Sequence, residues 1–75
     1  MSTPEHVILD NLISFQKSGS QNHLKVALRS LENSTHRIDF NLLNEEIKLH
    51  GLQKEWQVIT DIWFWQLINF YLVHL

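Results

Sequence analysis

The segment from Ile62 to Val73 most constrains how this chain can fold. None of its residues is charged, Gln66 and Asn69 are its two amides, and it holds five of the eight aromatic residues in the chain. A helix that is apolar on every side must be buried in a core, a membrane or a partner. Because a transmembrane helix needs about 20 apolar residues and this run is shorter, we expect protein to cover it, and we expect no transmembrane segment.

The short length of the chain limits how much apolar surface it can bury by itself. A single domain of 75 residues removes only about 60% of its unfolded surface from water and is marginally stable. The chain has no cysteine, so a disulfide cannot compensate. The remaining routes are an unusually aromatic core, self-association, or both. The lack of cysteine and of a secretory signal pattern at the N-terminus predicts a cytoplasmic protein.

Local signals divide the chain into helices. Thr3 is a suitable N-cap, followed by Pro4 at the first helical position. Asp39 is a suitable N-cap further along, with Ile38 and Leu43 placed to form a hydrophobic staple. Gly-containing segments end two helices, and apolar residues recur at helical spacing between these signals. The predicted helices cover about residues 4–17, 22–33, 40–50 and 52–73.

These helices predict an all-α fold, a small up-and-down bundle of about four helices in one domain, with a longer aromatic helix at the C-terminus. Gly51 is expected to end the third helix in the left-handed conformation, with Leu52 packing back on Ile47. Either Ser20 or Asn22 can cap the second helix.

Three rows of side chains run along the last helix when its residues are placed at 100° intervals. One row is expected to face the core of the bundle: Leu52, Trp56, Ile59, Trp63, Leu67 and Phe70. A second row is expected to widen that surface: Val58, Ile62, Trp65 and Leu72. The third row begins as a polar side and becomes apolar after Asp61, with Phe64, Ile68, Tyr71 and Leu75 at spacings of four, three and four.

The third row predicts a binding function. Three short helices have too little surface to cover a third side of the terminal helix, and clustered aromatic residues are typical of binding hot spots. We therefore predict a small protein–protein interaction module, a dimeric cytoplasmic regulator, adaptor or inhibitor whose partner is another protein chain, foremost a second copy. The predicted interface consists of Phe64, Ile68, Tyr71 and Leu75, with Trp65 at its edge.

A nucleic-acid-binding regulator is the alternative function. Residues 17–37 carry a net charge of +3, and the second and third helices could imitate a helix-turn-helix. Against this, Glu45 and Glu46 on the third helix would repel phosphate. The possible basic surface consists of Lys17, Lys25, Arg29 and Arg37.

Catalytic and metal functions receive little support from the sequence. Its two glycines lie at predicted helix ends and form no phosphate-binding loop. His6 with Asp10, and Glu46 with His50, are pairs at helical spacing that could contribute metal ligands, but this spacing is generic. We therefore predict no enzymatic activity, no cofactor and no metal site.

Overall fold

The computed structural model describes residues 3–74, which form four α-helices and one short 3₁₀ helix. The all-α bundle predicted from the sequence is confirmed, and its C-terminal helix is the longest. Each helix bound differs from the predicted one by no more than one residue. The helices are α1 Pro4–Ser18, α2 Gln21–Ser34, α3 Phe40–Leu49 and α4 Gln53–His74, and the 3₁₀ helix Thr35–Arg37 follows α2.

The ends of α1 follow the local sequence signals. The Thr3 hydroxyl oxygen accepts a hydrogen bond from the His6 backbone N–H at 3.2 Å, which satisfies one of the unpaired donors of the first turn. Gly19 ends the helix with a φ of 71°, and its N–H donates to the Phe15 carbonyl. The positive φ is a conformation that glycine adopts at little cost.

The ends of α3 also match their prediction. An Asp39 carboxylate oxygen accepts a hydrogen bond from the Leu42 N–H at 3.2 Å, and the flanking Ile38 and Leu43 are both buried in the core. At the other end, the Leu52 N–H donates to the Ile47 carbonyl at 2.9 Å and Gly51 has a φ of 66°. This is the Schellman arrangement, and it sends both Ile47 and Leu52 into the core.

The cap of α2 differs from the prediction. Ser20 occupies the N-cap position, but its side chain makes no capping hydrogen bond. Its backbone N–H instead donates to the Ser18 hydroxyl at 3.2 Å, and Asn22 lies inside the helix. The short connection between α1 and α2 is therefore held by a serine of the preceding helix rather than by the expected cap.

Two contacts between distant residues fix the relative direction of α1 and α3. The Asp39 N–H at the start of α3 donates to a Glu5 carboxylate oxygen at 2.8 Å. At the opposite end, the Gln16 side-chain amide donates to the Gly51 carbonyl at 3.2 Å. Because both starts meet and both ends meet, α1 and α3 run in the same direction.

The core lies between all four helices and is formed by aliphatic side chains. Trp56 and Trp63 of α4 pack against it while remaining partly exposed. α4 contacts each of the other three α-helices. The buried residues are Ile8, Leu9, Leu12, Ala27, Leu31, Ile38, Leu43, Ile47, Leu52 and Ile59.

The predicted core row of α4 is wrong beyond Trp63. Ile59 is fully buried, whereas Leu67 is 39% exposed and Phe70 is 57% exposed. The second row was also expected to pack inward, yet its four members Val58, Ile62, Trp65 and Leu72 are exposed. Beyond Trp63 the reason is length: α4 has 22 residues, and α1, the next longest helix, has 15. Val58 and Ile62 lie nearer the start of α4 and are exposed because they line an open groove between α2 and α4.

Candidate functional site

The C-terminal half of α4 presents an apolar surface to solvent on every side. All of its large apolar residues from Phe64 to Val73 are exposed, with exposed fractions from 36% at Ile68 to 78% at Val73. The rings of Phe70 and Tyr71 meet edge to face, with centroids 5.9 Å apart. We call this set the terminal surface; its members are Phe64, Trp65, Leu67, Ile68, Phe70, Tyr71, Leu72 and Val73.

The residues predicted to form the interface lie within the terminal surface as far as the structure describes them. Phe64, Trp65, Ile68 and Tyr71 are all exposed. Leu75, the last member of that predicted row, lies outside the described residues. The other members of the terminal surface were missed because helical periodicity assigned Leu67, Phe70 and Leu72 to inward-facing rows. The signal that could have found them is the difference in length between α4 and its neighbours.

An open apolar groove lies between α2 and α4, directly beside the terminal surface. Its volume is about 440 Å³. Leu24 and Leu28 line it from α2, and Val58 and Ile62 line it from α4. Gln66 also lines the groove and falls within the span of the terminal surface, so the two features are continuous along α4.

The four residues of the possible basic surface are spread over three elements. Lys25 and Arg29 are one turn apart on α2 and line the same surface hollow, which Glu32 also lines. Lys17 lies in the last turn of α1, and Arg37 lies in the 3₁₀ helix, where its guanidinium donates to the Ser34 hydroxyl at 3.1 Å. Within residues 3–74, Lys25 and Arg29 are therefore the members of the possible basic surface that share one hollow.

The histidine and carboxylate pair at the end of α3 forms a local contact. A Glu46 carboxylate oxygen and the His50 Nε2 lie 3.4 Å apart, and both side chains are well exposed. Within residues 3–74, no group of three or more histidine or acidic side chains is arranged to hold a metal ion. The pair is therefore a solvent-exposed contact between residues one helical turn apart.

Glu5 is a titratable group whose pKa the fold clearly lowers. The hydrogen bond from the Asp39 N–H lowers the pKa of the Glu5 carboxyl below its usual value, and further hydrogen bonds near the start of α1 act in the same direction. The charged form is favoured because backbone N–H groups donate to it. Glu5 therefore joins the starts of α1 and α3 and belongs to the scaffold, away from the terminal surface.

Comparison with known proteins returned no matching family model, no matching curated protein and no matching solved structure. Within residues 3–74, no helix is both long enough and apolar enough to cross a bilayer.

Proposed function

We propose that this chain is a small protein–protein interaction module, a cytoplasmic regulator, adaptor or inhibitor that acts by binding another protein chain through the terminal surface. The observation that supports this proposal is the exposure of all the large apolar residues from Phe64 to Val73. A helix with this composition gains stability by burial, and its own bundle leaves it uncovered.

The size of the terminal surface is in the range of a specific interface. Its four aromatic residues are each 57–64% exposed, and an aromatic side chain buries roughly 150–250 Å² when covered. The aromatic residues alone therefore offer about 500 Å². The aliphatic residues bring the total toward the roughly 800 Å² that one partner contributes to a standard interface.

The chemistry of the terminal surface indicates an apolar partner surface. Residues 64–73 carry no charged side chain, so a partner can cover them without removing an ion from water. The amide side chains of Gln66 and Asn69 would require hydrogen-bonding groups on the partner or access to water at its edge. Covering about 500 Å² gains roughly 12 kcal/mol at about 25 cal/mol per Å², an amount comparable to the cost of association.

Two charged double variants test the proposal on different sides of α4. Phe64→Glu with Tyr71→Glu alters the predicted interface row, and Trp65→Glu with Leu72→Glu alters the neighbouring side. The matched control is Leu49→Glu, because Leu49 is a 76% exposed apolar residue on α3. Circular dichroism establishes that each variant keeps the helical content of the wild type.

Association is measured by light scattering for the purified chain and by capture of partner proteins from cell lysate. We expect the wild type and the Leu49→Glu control to associate with a second copy or another protein, and at least one double variant to lose that association. The proposal is contradicted if the wild type binds no protein in either measurement, or if both double variants bind as the wild type does.

A further inference from the structure

We propose that two copies of this chain pair through their α4 helices in antiparallel orientation. The C-terminal half of α4 of each copy enters the groove between α2 and α4 of the other copy. This inference rests on the proposed function, because it names the partner and the side of α4 that binds it. The pairing is isologous, so each copy supplies one groove and one inserted helix.

The first observation is a row of exposed residues that continues from the groove into the terminal surface. Its spacing of four, three, four and three is that of a coiled-coil seam. The apolar members Val58 and Ile62 line the groove, and the apolar members Trp65 and Leu72 belong to the terminal surface. We call this row the paired seam; it consists of Val58, Ile62, Trp65, Asn69 and Leu72.

The second observation is that the groove and the terminal surface have matching lengths. From Val58 to Gln66 the groove follows α4 for about 12 Å, and the terminal surface from Phe64 to Val73 is about 13 Å long, at 1.5 Å per residue. The groove volume of about 440 Å³ is in the range of pockets, roughly 300–1,000 Å³, that enclose many apolar atoms. More than one large side chain of the second copy can therefore enter it.

The third observation is that the charges favour this pairing. Among the residues that line the groove, Lys25 is the charged one. The C-terminal end of a helix carries a partial negative charge. The positive charge of Lys25 therefore favours an inserted α4 end in this groove. Antiparallel pairing centred on Trp65 places Asn69 of one copy beside Asp61 of the second copy, which joins an amide donor to a carboxylate acceptor and brings no like charges together.

Antiparallel pairing centred on Trp65 also makes a specific contact that can be tested. Val58 of one copy faces Leu72 of the second copy, and this contact occurs twice in the dimer. Val58→Lys and Leu72→Glu each place a charge against an apolar residue at both contacts, and burying an unpaired charge is costly. When the two variants are mixed, a heterodimer has one unaltered Val58–Leu72 contact and one contact between Lys and Glu.

The experiment measures the mass of each protein by analytical ultracentrifugation across the micromolar concentration range. We expect the wild type and Leu49→Glu to dimerise, each of the two variants to raise the dissociation constant at least about tenfold, and an equal mixture of the two to recover dimers. If Val58→Lys or Leu72→Glu loses helical content, the charge-reversed set Val58→Glu and Leu72→Lys reports on the same contact.

Several results would overturn the inference. They are a monomeric wild type, single variants that dimerise as the wild type does, or a mixture that recovers no dimers. A dimer lost in Phe64→Glu with Tyr71→Glu but kept in Val58→Lys and in Leu72→Glu overturns this pairing while leaving the proposed function intact. A monomer that sediments with vesicles of phosphatidylcholine and phosphatidylglycerol assigns the terminal surface to lipid and overturns the pairing.

Discussion

Single residues of α4 have different roles on the two sides of Trp63. Ile59 is fully buried among the side chains of the bundle, whereas Phe70 is 57% exposed although its side chain is larger. Hydrophobicity alone does not separate these residues, because both are strongly apolar and both lie on the row that helical periodicity assigns to the core. The contribution of each to folding depends on whether other helices reach it.

Alanine substitutions should separate these two roles. We expect Ile59→Ala to lower the free energy of unfolding by about 2–5 kcal/mol, because it leaves a cavity in the core. We expect Phe70→Ala to change the free energy of unfolding of the monomer by less than about 1 kcal/mol, since much of this side chain is already in water. Urea unfolding at low protein concentration measures both values. Equal losses would contradict the burial of Ile59 and the exposure of Phe70.

The hydrogen bond from Asp39 to Glu5 makes the stability of the bundle depend on pH. The pKa of Glu5 is lower in the folded chain than its ordinary value, so the contribution is present above the ordinary pKa and is lost as the pH falls through the folded pKa. Because the side chain is close to solvent, salt should weaken this contribution.

Replacing Glu5 with glutamine should reduce this acid sensitivity. We expect the melting temperature of the wild type to fall more between pH 5 and pH 3 than that of Glu5→Gln, because the variant has no charge to lose at this position. Glu45→Gln is the control, since Glu45 is an exposed carboxylate on α3. Thermal melts followed by circular dichroism measure the effect, and identical pH profiles for wild type and Glu5→Gln would refute it.

The helical elements are bounded mainly by signals that lie within a few residues of their ends. At the connection between α3 and α4, Gly51 has a φ of 66°, and an added Cβ would meet no atom within 4 Å. Glycine is therefore required here because of its backbone conformation, and not because neighbouring atoms leave no room for a side chain. This connection matters for the core because it directs Ile47 and Leu52 into it.

Substitutions at Gly51 should reveal that conformational requirement. We expect Gly51→Ala to destabilise the chain by about 1–2 kcal/mol, the cost of a left-handed residue with a side chain. Gly51→Asn should cost less, because asparagine tolerates this conformation better. Chemical denaturation of both variants gives the comparison. A Gly51→Ala variant as stable as the wild type would show that the connection adopts another conformation.

At the scale of the whole molecule, α4 is too long for the bundle that packs against it. The 22 residues of α4 extend for about 33 Å at 1.5 Å per residue, compared with about 22 Å for the 15 residues of α1. The bundle therefore packs against one side of the first half of α4, where Ile59 is buried, and leaves the large apolar residues of the second half exposed. Any partner that covers the second half adds to the stability of the folded chain, because binding only the folded state shifts the unfolding equilibrium.

Thermal stability should consequently depend on protein concentration. We expect the melting temperature of the wild type to rise from low to high micromolar concentration, because dimerisation stabilises the folded state by mass action. Trp65→Glu with Leu72→Glu should melt at a temperature that does not change with concentration. Calorimetry at several concentrations tests this expectation, and a constant melting temperature for the wild type would argue against self-association.

The sequence by itself determined the positions of the helices. Thr3, Asp39, Gly19 and Gly51 act through hydrogen bonds and backbone conformations that involve neighbouring residues. The predicted bounds and fold class depend on these local interactions. The row Phe64, Ile68 and Tyr71 was also visible as an apolar continuation of a polar helix side.

Only the tertiary structure decided how far along α4 the core extends. Periodicity continues the core row through Leu67 to Phe70, but burial requires neighbouring helices at the same height, and their coverage ends at Trp63. The groove between α2 and α4 likewise depends on where two distant segments meet. Helical spacing specifies direction around a helix axis, whereas coverage along that axis is set by the lengths and crossing positions of the other helices, and these arise from packing between residues far apart in the sequence.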